Sequence, residues 1–175
     1  AEAFSPEEAR IVYISTDKSV RPAGTYGMSK QIAEQATLKL GHHVVRGVNF
    51  LFSNGSVLDI WENQRALGKR YTVVQEVECV RYFMTTREMS ELVLSAMALD
   101  GPGRCFFPDK VYRIPMKELF IGYAMYRGID NPEVTHIQLG PGEKLVEDLD
   151  FKPIIVDITS PDAIAELLES VRPIK

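Results

Sequence analysis

The chain has 175 residues, 45% of them hydrophobic and 25% charged, with a formal net charge of -4 at pH 7. That composition excludes a wholly disordered chain and matches the length of about one domain. The acidic balance, with no Lys/Arg cluster, argues against nucleic acid as a partner.

No apolar run approaches the ~18–20 residues of a membrane-spanning helix. No signal peptide is read at the start. Cys79 and Cys105 are the only cysteines, too few for a disulfide framework, so a reducing cytoplasmic setting is expected.

In chain order, residues 10–15 form a short β-branched run and read as a buried strand. A loop with Pro22 and Gly24 follows. From Thr25 to Leu40 the pattern is helical, and Met28, Ile32, Ala33, Ala36 and Leu40 make one apolar stripe expected to face the core. Gly41 marks the helix stop. Residues 43–52 read as one strand. Ser56 is placed to cap a helix through Leu67. Residues 71–74 and 80–84 read as strands, and Thr85 or Thr86 caps a helix to Leu99, with Glu88 in its first turn. Strands over 104–107, 134–139 and 153–156 and helices over 115–127 and 160–171 complete the reading. Strands alternate with helices, which predicts an α/β fold. Three segments are expected: 1–52 with the chemistry-bearing motif, 53–149, and a β–α tail over 150–175.

The chemistry concentrates in Ser15-Thr16-Asp17-Lys18 and in Tyr26-Gly27-Met28-Ser29-Lys30. Tyr26 and Lys30 are four apart at a helix start, so they share a face. An ammonium beside a phenol favours the phenolate, which suits a tyrosine to acid–base work. Alone, this spacing also fits an ordinary exposed helix. The strand-Ser-Thr-Asp-Lys unit ten residues earlier supplies the second half of the pattern.

These motifs resemble the extended short-chain dehydrogenase/reductases, more narrowly the nucleotide-sugar 4,6-dehydratases (UDP-N-acetylglucosamine type) of polysaccharide biosynthesis. The likeness continues through Val44-Val45-Arg46 to Asn49, through Ser53-Asn54-Gly55-Ser56-Val57, through Arg81-Tyr82-Phe83-Met84-Thr85, and through Pro141-Gly142-Glu143-Lys144-Leu145. It covers roughly residues 10–149. It implies a partial Rossmann-like sheet joined to a smaller substrate-binding α/β portion, and NADP or NAD as cofactor.

By that resemblance, Thr16 hydrogen-bonds the sugar C4 oxygen and Tyr26 takes the C4 hydroxyl proton as hydride leaves C4. Lys30 and Ser15 sit at the nicotinamide end. Lys18 removes the C5 proton and Asp17 protonates the departing 6-hydroxyl. Asn49, Ser56, Arg81 and Glu143 line the site of a UDP-sugar, with Arg81 toward the diphosphate. A 4- or 5-epimerase, or a non-catalytic nucleotide-sugar-binding or assembly subunit, is the alternative on the same fold. Large membrane-bound members often carry Met at the Tyr26 position, which places this chain nearer the small members.

Each residue has a plainer reading. Arg81 fits a surface ion-pair partner, Asn49 a strand-end turn, Glu143 a helix-start acid and Asp17-Lys18 a solvated loop pair. Cys79 and Cys105 fit inert apolar fillers, and Trp61 fits packing. His42, His43 and His136 lack metal-ligand spacing, so no metal is expected.

The Gly-rich turn that holds a dinucleotide does not occur in the sequence. The expected partner is therefore another copy of the chain, or a chain supplying the missing half-domain. Asn54 and Gly140 stand where the family has arginines. The tail over 153–173 resembles the strand-Asp-helix unit that follows the cofactor motif, and fits either a displaced piece of the cofactor domain, with Asp157 near the adenine, or a generic β–α unit.

Overall fold

A computed structural model describes residues 11–171. Arg10 of the first expected strand, and residues 172–175 beyond the last helix, lie outside the described residues. The described chain is a mixed α/β fold built on three small sheets.

The first sheet is parallel. Strand β1 (Val12–Thr16) pairs with β2 (His43–Gly47), and β2 pairs with β6 (Cys105–Phe106). Helix α1 (Thr25–Lys39) connects β1 to β2, since parallel neighbours need a crossover. A single 3-10 turn, Asp17–Ser19, leads out of β1.

Residues 43–52 are two strands rather than one. The chain leaves the first sheet at Val48, and β3 (Asn49–Phe50) pairs with β5 (Val80–Met84) in a second sheet. A continuous apolar run carries no mark of a change of partner, which is why the sequence reads as one strand.

The second sheet has the order β3-β5-β7-β9. Strand β7 (Lys110–Pro115) runs antiparallel to β5, and β9 (Ile154–Asp157) runs parallel to β7. Sequence reading misses β7, because Lys110, Tyr112 and Arg113 interrupt its apolar pattern while Val111 and Ile114 are fully buried. The tail joins this second sheet, not the first. Its helix α5 (Pro161–Ser170) buries Ile164 and Leu168 in the same core as Leu119 and Tyr123 of α4 (Met116–Arg127). Asp157 pairs with Arg113 of the neighbouring strand, Oδ1 to Nη1, at 2.9 Å.

Helix α2 (Val57–Ala66) begins at Ser56, whose Oγ accepts from the Asp59 amide. Helix α3 (Thr86–Ala98) begins at Thr85, with Glu88 completing a reciprocal capping box. A third, two-stranded parallel sheet pairs β4 (Tyr71–Val74) with β8 (Val134–Ile137).

The stripe expected to seat α1 faces outward: Met28, Ile32 and Leu40 are 48%, 68% and 73% exposed. The buried residues of α1 are Gly27 and Glu34. The helix meets its neighbours through a close backbone approach and an ion pair, so apolar periodicity points to the wrong side. No described helix is long and apolar enough to cross a membrane.

Candidate active site

Strands β1 and β2 both deliver their C-terminal ends to one cleft of about 620 Å3. Its walls are the end of β1, the first turns of α1, β3, the start of α2, β5 and the loop over 137–143. Ser15, Thr16, Lys18, Tyr26, Lys30, Asn49, Ser56, Arg81 and Glu143 all line it. Asp17 is the one predicted site residue absent from the lining; it is completely buried beneath the turn.

The Asp17–Ser19 turn orders the first group. Thr16 Oγ1 donates to Asp17 Oδ1 at 2.8 Å. Lys18 Nζ is 3.4 Å from the same oxygen and donates to Asn49 Oδ1 at 3.0 Å. Asn49 Nδ2 in turn donates to the Tyr82 carbonyl at 2.8 Å, tying the turn to the second sheet. Asp17 and Lys18 are thus not a solvated loop pair, and Asn49 is a bridge between sheets.

Gly27 explains the residue after Tyr26. A Cβ there would collide with the Lys18 carbonyl oxygen and lie 2.9 Å from Pro22 Cβ. Only glycine lets α1 start this close to the Asp17–Ser19 turn. Tyr26 is itself 57% exposed. Lys30 donates to the Ile14 carbonyl at 3.2 Å, and its Nζ stands 6.0 Å from the Tyr26 ring centre.

On the opposite wall, Arg81 is 9% exposed and donates to the Val80 and Leu145 carbonyls, each at 3.0 Å. Among the described residues no carboxylate lies within ion-pair distance of it, so this is not a surface salt bridge. Glu143 accepts from the Gly140 amide at 3.0 Å within a turn, and no helix starts there. Gly142, at φ +81°, packs this turn against Gly24: a Cβ added to it would lie 3.0 Å from the Gly24 Cα. Ser56 lines the cleft while capping α2.

The rest of the lining includes Val48, Phe50, Phe83, Trp61, Met116 and Leu139, which sequence reading did not assign to the site. Phe50 and Phe83 come from neighbouring strands of the second sheet, Trp61 and Met116 from α2 and α4, and Val48 and Leu139 from loops, so only the tertiary fold brings them together. Trp61 is 1% exposed, donates to the Thr72 carbonyl at 2.8 Å and packs on Phe120 and Tyr123. Cys79 also lines the cleft; burial pushes its thiol up, as it pushes Cys105 to about 11. Neither thiol is a thiolate near neutral pH.

A second acid, Glu147, lies behind Lys18, with Oε1 3.8 Å from Nζ. Burial raises its carboxyl, against the pull of Lys18. Nothing in the motif reading marks it. Among the described residues no cluster of His, Cys, Asp or Glu is arranged to hold a metal ion.

A family model described as "Polysaccharide biosynthesis protein" matches residues 2–168. The capsular polysaccharide biosynthesis protein CapD of Staphylococcus aureus is 36% identical over 152 residues, 82% of this chain and 25% of that protein. The chain thus spans about a quarter of this relative's length. UDP-glucuronic acid 4-epimerase from Bacillus cereus, solved with UDP-glucuronic acid and NAD, superposes with a TM-score of 0.73. That match has 13% identity and covers 93% of this chain and 60% of that one. DesIV, a dTDP-glucose 4,6-dehydratase from Streptomyces venezuelae solved with NAD and TYD, superposes with a TM-score of 0.71. Its identity is 15%, over 91% of this chain and 59% of that one. The fold is that of the Rossmann-like extended short-chain dehydrogenase/reductases.

Proposed function

Because this chain belongs to the polysaccharide biosynthesis protein family, we propose that it forms the substrate side of a nucleotide-sugar 4,6-dehydratase acting on a UDP-sugar. The observation that carries the reading is the convergence of Thr16, Lys18, Tyr26, Lys30, Asn49, Ser56, Arg81 and Glu143 on a single cleft.

The nicotinamide end of NADP or NAD fits the residues present. Ser15 lines the cleft; its Oγ is buried, makes no hydrogen bond of normal geometry among the described residues, and has the Glu34 carboxylate as its polar neighbour. Ser15, Tyr26 and Lys30 would hold that end. The bound cofactor supplies hydride acceptance at C4 and hydride return at C6. The edge of β1 that no described strand covers fits a partner that contributes the dinucleotide half, either a further chain region or a second polypeptide.

The chain's own residues divide the proton chemistry. Thr16 and Tyr26 address the C4 oxygen, and Tyr26 removes its proton. Lys30 is anchored to Ile14 and places its charge beside the phenol. A 4-keto group acidifies the C5 hydrogen, which Lys18 takes from the cleft wall as the neutral amine after passing its own proton to Asp17. Asp17 reaches the reacting carbons only through Thr16 Oγ1 and Lys18 Nζ, so the proton for the departing 6-hydroxyl passes through one of these. Arg81, with no carboxylate partner among the described residues, supplies charge for the diphosphate.

The test is product analysis by NMR after incubation of the chain, together with the region or polypeptide that supplies the dinucleotide half, with UDP-N-acetylglucosamine and NAD+ or NADP+. A 4-keto-6-deoxy sugar is expected. Retention of the 6-hydroxyl with inversion at C4 would establish the epimerase alternative, and binding without turnover the non-catalytic one. Replacing Tyr26 by Phe is expected to lower kcat by about 10²–10⁴-fold while the protein stays folded.

A further inference from the structure

Among the described residues, Lys18 is the only cleft-lining cation flanked by two buried acids from different parts of the chain. Asp17 precedes it on the turn, with Oδ1 at 3.4 Å; Glu147 comes from the segment after Pro141-Gly142-Glu143-Lys144, with Oε1 at 3.8 Å. Asn49 Oδ1 at 3.0 Å completes the set. An ammonium carries three N–H donors, and three oxygens on three chain segments surround this one.

The side chain of Glu147 is 5% exposed, against 30% for Lys18. Glu147 does not line the cleft. Its backbone is pinned: the Val80 amide donates to the Leu145 carbonyl at 2.8 Å, Arg81 donates to the same carbonyl at 3.0 Å, and Val146 bridges Val80. On the other side, Lys144 reaches over the turn to the Val20 carbonyl at 3.0 Å. A buried acid on so fixed a backbone does not move to meet its partner; the partner comes to it.

We propose that Glu147 is a positioning residue that holds Lys18 Nζ on the cleft wall against Asn49, opposing the pull of Asp17 toward the buried floor. Charge sets the balance. Lys18 and Asp17 face Glu147 from the turn, Arg81 from β5, and Lys144 from its own segment. Removing Glu147 leaves Asp17 as the single anion on Lys18 and draws the ammonium away from the substrate.

The kinetic consequence rests on the dehydratase reading; the coupling of Glu147 to Lys18 does not. The coupling is tested first, by following the Glu147 side-chain carboxyl by 13C NMR during a pH titration of the wild type and of Lys18→Met. Loss of the ammonium is expected to move the Glu147 midpoint upward by about one pH unit. An unchanged midpoint in a folded Lys18→Met protein would overturn the proposal, whatever the enzyme's activity. In turnover of UDP-N-acetylglucosamine, Glu147→Gln is expected to lower kcat about 10- to 100-fold with KM within twofold, and Glu147→Asp to recover part of it. An unchanged kcat in a folded Glu147→Gln protein would also overturn it. A wild type that shows the coupling but forms no 4-keto product would remove the dehydratase reading and leave Glu147 as the residue that places Lys18.

Discussion

Glu34 is charged and almost completely buried, on a helix whose apolar side chains face out. Arg46 of β2 answers it, with Nε donating to Oε1 at 2.8 Å and the guanidinium forking on to Asp150. Ser19 Oγ lies 2.8 Å from the same carboxylate and 2.7 Å from the Thr16 carbonyl, its one hydrogen shared between the two acceptors. The pair therefore fixes the backbone of the Asp17–Ser19 turn as well as α1. Burial raises the Glu34 carboxyl, but the hydrogen bonds from Arg46 and Ser19 outweigh it and hold the group below its ordinary value of 4.5. A depressed carboxyl contributes stability that is present above that value and is lost as pH falls through the folded value. Urea unfolding is expected to show a fall in stability below about pH 4.5 that Glu34→Gln diminishes. Arg46→Ala strands a buried carboxylate and is expected to cost about 3–5 kcal/mol at neutral pH. A loss under 1 kcal/mol would mean the pair is solvated rather than buried.

At the scale of elements, two close packings decide where things sit. Gly27 lets α1 start against the turn. Gly27→Ala is expected to cost about 1–3 kcal/mol and to reduce turnover with it, because the collision is with the Lys18 carbonyl itself. Thermal unfolding and kcat measured on the same sample separate the two effects. The second packing is the tail on α4. A Cβ on Gly122 would lie 2.6 Å from Ile164 Cγ2 and 2.9 Å from the Pro161 carbonyl oxygen. Ile164 is completely buried, so Ile164→Ala is expected to cost about 2–5 kcal/mol. Because α5 shares a core with the wall residues Met116 and Phe83, loosening it should also weaken UDP-sugar binding, measurable by calorimetry.

Taken whole, the described molecule has one well-covered sheet and one open one. Strands β3, β5, β7 and β9 carry a core of aromatic and aliphatic residues. In the first sheet, β1 pairs on one side alone among the described residues. Ile11 and Ile14 are 51% and 47% exposed, beside the outward stripe of α1. An open edge next to apolar surface invites association. The isolated 175-residue chain is expected to bind the dye ANS and to elute above its monomer mass, and Ile32→Lys to lessen both. A monomer that binds no dye would show that this face needs no cover, and would remove the reason to seek a dinucleotide half there.

Sequence alone marked the residues proposed for the chemistry and located most of the elements. Ser-Thr-Asp-Lys, Tyr-Gly-x-Ser-Lys and Pro-Gly-Glu-Lys are local patterns, and caps such as Ser56 and Thr85 act within one helical turn, so both are legible without a fold. What only the tertiary structure decided is everything that depends on a distant neighbour. The break at Val48 follows from β3 finding β5. β7 forms despite its polar residues because β5 and β9 flank it. Asp17 lies under the cleft, not in it, because the turn closes on Gly27. Glu147 meets Lys18 across more than a hundred residues, and no spacing rule reaches that far. The outward stripe of α1 is the plainest case. Periodicity reports that a helix has an apolar face, but what that face meets is set by the rest of the molecule.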